Sequence, residues 1–212
     1  MLMGPPGSGK GTQAARIADR YGLPHVSTGD ALRAAVKAAT PVGRAVAEIM
    51  AAGRLVGDDL ITGIVRERLA AGDARGGCIL DGFPRTVAQA IVLDTMVDAA
   101  ALIVAHLVAD DEEIVRRLAS RRVCDACALT QSVSHDTDPD REACPYCGGN
   151  LSRRPDDHPD TVRRRLATYA SFAEPLVAFY RARPTFATID GLQRPDRVTT
   201  DLCAHIERWR GE

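Results

Sequence analysis

The stretch GPPGSGKGT at residues 4–12 follows a short apolar run and precedes an amphipathic segment. It fits the pattern G-x-x-x-x-G-K, in which glycines let successive backbone N–H groups turn towards an anion at the positive end of the next helix. Lys10 then adds a compact positive charge for the terminal phosphates of a nucleotide. The stretch predicts a phosphate-binding loop between a parallel strand and a helix; the alternative is a glycine-rich turn without a ligand.

Apolar or β-branched runs alternate with helical patterns along the rest of the chain. The runs lie at 1–3, 24–27, 78–80, 102–108 and 186–189. This alternation predicts an α/β fold with a five-stranded parallel sheet, helical crossovers and helices on both faces. The first run is shorter than the usual buried strand of about 5–6 residues, so we expect the natural chain to start further upstream.

The charge balance favours a small molecule as the partner. The chain has 212 residues and a formal net charge of -1, from 27 basic and 28 acidic side chains. This balance gives no general attraction to nucleic acid or to an anionic membrane. Because no apolar run approaches the ~20 residues of a spanning helix and no signal-peptide pattern opens the chain, we expect a cytoplasmic protein.

Gly11 stands where such loops usually carry a Ser or Thr that touches Mg²⁺ directly, and Thr12 follows one place later. Mg²⁺ dehydrates reluctantly, so we expect the ion to keep more of its water here. Asp81, at the end of the buried run 78–80, is the expected acidic partner and would act through those water molecules. The alternative interpretation of Asp81 is a turn or helix-cap residue.

Three further stretches each supply an arginine beside hydroxyl or backbone polar groups. They read STGDALR at 27–33, AGRLV at 52–56 and DGFPRTVAQ at 81–89. The guanidinium fork suits phosphate oxygens, and several converging forks can neutralise a phosphate monoester. One such arginine alone would be interpreted as solvated surface charge, but together with the loop they predict a second nucleotide.

Four of the six cysteines form two pairs, Cys124-x₂-Cys127 and Cys144-x₂-Cys147, separated by x₁₆. The spacing is typical of a tetrahedral structural zinc site. Segment 122–157 has little helical or strand periodicity, so metal binding would supply its folding energy. Reduced free thiols or a redox role are the alternatives.

With these motifs the chain resembles the adenylate kinases, in the form that has a long, zinc-containing lid. The likeness spans nearly the whole length and rests on GPPGSGKGTQ, STGDALR, LDGFPRTVAQ, RRVC, the CxxC pairs, RPDD and TVRRRL. Gly11 is usual in that family. The resemblance implies phosphoryl transfer from ATP to AMP, giving two ADP, with Mg²⁺, by a monomer without nucleic-acid or membrane partners.

The resemblance also implies which residues form the site. ATP would lie against Gly7, Ser8, Gly9, Lys10, Gly11, Thr12, Arg117, Arg121 and Gln193. AMP would lie against Thr28, Arg33, Arg54, Leu55, Val56, Gly82, Phe83, Pro84, Arg85, Gln89, Arg154 and Arg165. The transferring group would be stabilised by Lys10, Arg85, Arg121, Arg154 and Arg165. Asp156 and Asp157 would hold these arginines and latch the lid.

We expect three parts in the chain. A core would comprise 1–26, 57–119 and 158–212, with an AMP-binding segment at 27–56 and a zinc-binding lid at 120–157. The acceptor is already an anion, so catalysis can rest on alignment and charge stabilisation without a general base. A lid that completes the site only around both nucleotides would protect ATP from hydrolysis.

Two alternatives remain open at this stage. The first is a kinase of the same architecture that prefers UMP or CMP, which tends to carry Ala in place of Thr28 and Asn near Gln89. A Gln side chain can pair with adenine through a donor and an acceptor, which favours AMP. The second is a nucleic-acid-binding ATPase with a zinc ribbon, although Tyr146 is the lone aromatic of that segment.

Overall fold

The computed structural model describes residues 1–127, 129–132 and 143–210. The strands are β1 (Leu2–Met3), β2 (His25–Ser27), β3 (Ile79–Asp81), β4 (Val104–Val108), β5 (Arg121–Cys124), β6 (Thr130–Ser132), β7 (Leu151–Ser152) and β8 (Phe186–Asp190). The helices are α1 (Lys10–Tyr21), α2 (Thr28–Lys37), α3 (Pro41–Ala51), α4 (Asp58–Ala70), α5 (Val87–Met96), α6 (Asp111–Ser120), α7 (Pro159–Arg181) and α8 (Pro195–Trp209). Parts of the predicted lid and the last two residues of the predicted core lie outside the described ranges.

Five strands form a parallel sheet in the order β2-β3-β1-β4-β8. Successive side chains of a strand point to opposite faces, and both faces are apolar here. Met3 and Leu80 belong to one buried cluster, which packs against α4, α5 and α7, whereas Leu2 and Ile79 belong to a second, against α1 and α8. The prediction of an α/β fold with a parallel sheet covered on both faces is confirmed.

The carboxyl ends of three adjacent strands, β1, β2 and β3, lie at the same end of this sheet. Leu2 of β1 and Ser27 of β2 are both in register with Asp81 of β3. In open parallel sheets, ligands bind in the crevice beyond this end. The loop after β1, the start of α2 and the turn after β3 therefore face a common space.

Two excursions from the sheet lie next to that end. One is the pair α2 and α3, and the other is a three-stranded antiparallel ribbon in the order β6-β5-β7. They touch where Lys37 Nζ donates to the carbonyl oxygen of Asp125 at 3.2 Å. Within the described ranges, no helix is long and apolar enough to cross a membrane.

Candidate active site

The loop after β1 has the conformation that its glycines make possible. Gly7 and Gly9 have φ values of +85° and +99°, in the left-handed region that other residues rarely adopt. Gly9 is also the N-cap of α1 and forms no side-chain capping bond, so no capping side chain occupies the first N–H groups of the helix. This is the anion-binding geometry that the sequence predicts.

The ammonium group of Lys10 lies over the same loop. Its Nζ donates to the carbonyl oxygens of Gly4 at 2.8 Å and Pro5 at 2.7 Å. Burial lowers the pKa of Lys10 to about 8; the charge of Asp81 raises it, and the nearby guanidinium groups, first among them Arg85, lower it further. The loop therefore concentrates positive charge where an anion would bind.

Asp81 faces this loop from the end of β3. Asp81 is only 9% exposed. Its Oδ2 lies 3.5 Å from the position that a Cβ atom on residue 11 would occupy. A hydroxyl-bearing side chain at position 11 would stand in direct contact with the carboxylate, whereas glycine leaves room there for a hydrated ion. His25 Nε2 lies 3.4 Å from the same Oδ2 but does not form a hydrogen bond with it.

A pocket lies between α2, α3, the turn after β3 and the first part of α7. Its lining includes these residues of the predicted AMP site: Thr28, Arg33, Arg54, Leu55, Val56, Gly82, Arg85, Gln89 and Arg165. Apolar side chains such as Leu32 and Ile61 also line it. Guanidinium groups beside an apolar wall suit a ligand with a phosphate and a flat ring.

Three predicted AMP contacts do not line this pocket. Phe83 is 1% exposed and belongs to the main hydrophobic core, and Pro84 beside it is also buried. Arg154 follows β7, the last strand of the ribbon. It donates to Thr130 Oγ1 at 3.2 Å and lies 3.7 Å from Asp30 Oδ1. Burial and the charge of Arg33 lower its pKa to about 10.

Asp156 and Asp157 bring the remaining arginines together. The side chain of Asp157 is fully buried; it accepts two hydrogen bonds from Arg121, one of them at 2.7 Å, and lies 3.3 Å from Arg165. Asp156 lies 3.2 Å from Arg165 and 3.6 Å from Arg33. Burial raises the pKa of Asp156, but the charges of four arginines, first Arg165 and Arg33, together outweigh it, so the pKa lies below its usual value. The carboxylates thus join the ribbon's first strand to α7 and α2.

Arg117 is held away from this cluster, against the loop after β8. Its Nε donates to Glu113 and its Nη1 to the carbonyl oxygen of Gly191, both at 2.7 Å. Hydrogen bonds from Arg116 and Arg117 lower the pKa of Glu113 to about 2. The side chain of Gln193 donates to Asp201 at 3.0 Å and to the carbonyl oxygen of Asp190 at 3.2 Å, so it is engaged by the protein itself.

The four paired cysteines form one cluster. Their Sγ atoms all lie within 4.8 Å of one another, with Cys124 at 3.4 Å from Cys147 and Cys127 at 3.7 Å from Cys144. Zn–S bonds of about 2.3 Å in a tetrahedron give S–S edges of about 3.8 Å, so the donor set fits one zinc ion. The prediction of a four-cysteine cluster is confirmed, and its sulfur atoms are too far apart for disulfides.

Comparison with known proteins agrees with this geometry. The sequence profile of the family "Adenylate kinase" matches residues 2–185. The chain belongs to the adenylate kinase family. A relative named adenylate kinase from Acidothermus cellulolyticus is 44% identical over 212 residues, which are 99% of this chain and 98% of the relative. Adenylate kinases from Syntrophotalea carbinolica, 46% identical over 91% of both chains, and Rhizobium etli, 42% identical over 98% of both, are similar to it as well.

In this member of the adenylate kinase family, several residues next to the site are not predicted by the sequence motifs. Asp30 pairs with Arg33 at 2.5 Å, and Asp58 accepts from Gln89 at 2.7 Å. Arg164 ties α7 to the end of α3 by donating to the carbonyl oxygen of Ala52 at 3.2 Å. The one sequence signal for Asp58 is its place in the first turn of a helix, where acidic residues are common for reasons unrelated to a site.

Proposed function

We propose that the protein transfers a phosphoryl group reversibly between ATP and AMP, giving two ADP. One observation carries the proposal: the same guanidinium groups line a separate pocket and lie close enough to the phosphate loop to affect its lysine. Arg85 and Arg165 line the pocket, and both also lower the pKa of Lys10 in the loop. Two phosphate-bearing ligands would therefore meet at one set of cations.

ATP would occupy the loop side of this arrangement. Backbone N–H groups from Gly7 to Thr12 would hold its β- and γ-phosphates, with Ser8, Gly9 and Gly11 giving the chain its close approach. Lys10 would place its charge on the same oxygens. Arg117 would lie against the adenine, beside the backbone of Gln193. The bound Mg²⁺ would neutralise phosphate charge, and Asp81 would hold its water molecules.

AMP would occupy the pocket. Arg33 and Arg85 would bind its phosphate, while Thr28 and Gln89 would face the base together with the backbone at Arg54, Leu55, Val56 and Gly82. Phe83, Pro84 and Arg154 do not line the pocket. For Phe83 and Pro84 we therefore propose an indirect role, and for Arg154 a contact with the transferring phosphate group at the edge of the pocket. Phe83 would anchor the turn that carries Arg85 by filling the core beneath it.

Transfer needs no proton abstraction, since the attacking group is a phosphate oxygen. Lys10, Arg85, Arg121, Arg154 and Arg165 would stabilise the charge that spreads over the transferring group in an in-line reaction. Asp156 and Asp157 would keep mutually repelling arginines within reach of that group. The same carboxylates connect the ribbon to α7, so they would latch segment 120–157 over the core as segment 27–56 closes from the other side.

The direct test is a coupled assay for ADP formed from ATP plus AMP, run in parallel with UMP and CMP at equal concentrations. We expect AMP to be preferred by at least about tenfold in kcat/KM, as for a site that hydrogen-bonds one base and leaves its polar groups unpaired with another. Preference for a pyrimidine would overturn the assignment of the acceptor. Salt-sensitive DNA binding without any transfer would overturn the function as a whole. Gel filtration tests the monomer that we also propose.

A pH dependence follows from Lys10. Its pKa in the folded protein is about 8, so the ammonium form predominates below that value, accounts for half of the molecules at it and is lost as the pH rises further. ATP affinity, measured by calorimetry, is expected to fall between pH 8 and pH 9.5 and to be flat from pH 6.5 to pH 7.5. Bound phosphates stabilise the ammonium form, so kcat at saturating ATP should decline at a higher pH than the affinity does. An affinity that is constant to pH 9.5 would contradict this assignment.

A further inference from the structure

Asp58, in the first turn of α4, forms a hydrogen-bonded network beneath the AMP pocket. Its Oδ1 accepts from Gln89 Nε2 at 2.7 Å, and its Oδ2 accepts from Thr86 Oγ1 at 3.1 Å. Gln89 Oε1 in turn accepts from the backbone N–H of Arg85 at 2.8 Å. Gln89 is 2% exposed yet lines the pocket, so both ends of its amide are engaged from behind.

The chemistry of these partners fixes which way round the amide of Gln89 lies. An ionised carboxylate can only accept a hydrogen bond, and a backbone N–H can only donate one. The nitrogen must therefore face Asp58 and the oxygen must face Arg85. A flipped amide would oppose two acceptors at one end and two donors at the other, which is costly in a buried site.

From this network we infer that Asp58 is a positioning residue that sets base specificity, by locking the donor and acceptor of Gln89 in one order. The inference rests on the proposed function, since it concerns the acceptor nucleotide of that reaction. Once the hydrogen bonds to Asp58 and to the backbone N–H of Arg85 are formed, the amide of Gln89 keeps one N–H and one oxygen lone pair for a ligand. An unlocked Gln89 could rotate and serve either order.

With its orientation fixed, the amide of Gln89 distinguishes bases by the order of hydrogen-bond donors and acceptors along their edges. Adenine presents an amino donor beside a ring-nitrogen acceptor, which matches one fixed amide order. Hypoxanthine, the base of inosine monophosphate, has the same ring size but presents a keto acceptor beside an N–H donor. Uracil has the keto pattern and cytosine the amino pattern, so a cytosine nucleotide must be rejected by ring size instead. Comparing AMP with inosine monophosphate therefore isolates the lock.

The experiment compares kcat/KM for AMP and for inosine monophosphate in wild type, Asp58→Ala and Asp59→Ala. Asp59 lies in the same helical turn and is exposed, so its replacement removes an equivalent acidic group from the helix end without touching Gln89. In Asp58→Ala we expect the AMP-to-inosine ratio to fall by roughly tenfold, the loss expected for one hydrogen bond to a charged group. The change should lie in KM for AMP, with KM for ATP unaltered. Asp59→Ala should keep the wild-type ratio.

A second variant keeps the test decisive if Asp58→Ala folds poorly. Asp58→Asn preserves size but can offer either oxygen or nitrogen to Gln89, so the ratio should fall in the same direction by roughly threefold. An unchanged ratio in a folded Asp58 variant, or an equal fall in Asp59→Ala, would overturn the lock while leaving the proposed function intact. Failure of the wild-type protein to phosphorylate AMP would instead overturn the proposed function.

Discussion

Replacing Lys10 by alanine will reduce kcat/KM for ADP formation by about 10³-fold, the loss seen when one preorganised donor to a developing charge is removed. Lys10 is the only side chain that the loop itself contributes as a cation, and its ammonium group already lies within 2.8 Å of the loop carbonyl oxygens. The neighbouring arginines carry planar forks in place of a compact point charge, and Asp157 and Asp156 already engage those of Arg121 and Arg165. The coupled assay measures the change when ATP is varied from below to above its KM at saturating AMP.

The chain provides a matched control for this substitution. Lys37 is the other lysine of the sequence; it is exposed, and among the described residues its ammonium group donates to the carbonyl oxygen of Asp125. Lys37→Ala should keep kcat/KM within about fivefold of wild type, as for one surface contact. Both variants should melt near the wild-type temperature. Full activity in a correctly folded Lys10→Ala protein would show that Lys10 has no role in the reaction and would contradict the proposed role of the loop.

What the sequence predicts well is local or periodic. The five-stranded sheet follows from buried runs that alternate with helical patterns, and β1 can be predicted even at two residues because a glycine loop and a helix follow it. The cysteine cluster can be predicted because ligand spacing is a property of the chain itself. In each case a short stretch contains the whole signal, so no knowledge of tertiary contacts is needed.

What the sequence misses depends on contacts between distant segments. Asp58 and Gln89 are 31 positions apart, and nothing in either segment alone indicates that their side chains meet. Phe83 shows the opposite error, since it stands between binding residues in the motif at 81–89 but turns into the core. Adjacency in a motif predicts that a residue is near the site, whereas the direction of its side chain depends on the packing beneath the turn.

The second large effect concerns the cysteine cluster. Within the described part of the ribbon, the buried apolar cluster comprises only Cys124, Cys144 and Leu151. Burying one leucine contributes about 1.5–3 kcal/mol, whereas a structural zinc ion contributes an apparent 10–16 kcal/mol in small zinc domains. On these magnitudes, we expect the ribbon to need a metal ion in order to fold. The two clusters that cover the sheet share no residue with it, so the core should stay folded without the ribbon.

We therefore expect Cys124→Ser to lose the bound zinc, to keep the main unfolding transition and to lower kcat by about 10²-fold, as for a displaced positioning group. Arg121 starts β5 and Arg154 follows β7, so an unfolded ribbon removes both from the site. Cys78→Ser, which changes a cysteine outside the cluster, is the control and should retain zinc and activity. Zinc content by mass spectrometry, thermal melting and the coupled assay give the readouts. A metal-free Cys124→Ser protein with wild-type melting and turnover would show that the ribbon needs no metal. Asp157 would then suffice to hold Arg121, and Asp30 with Thr130 would suffice to hold Arg154.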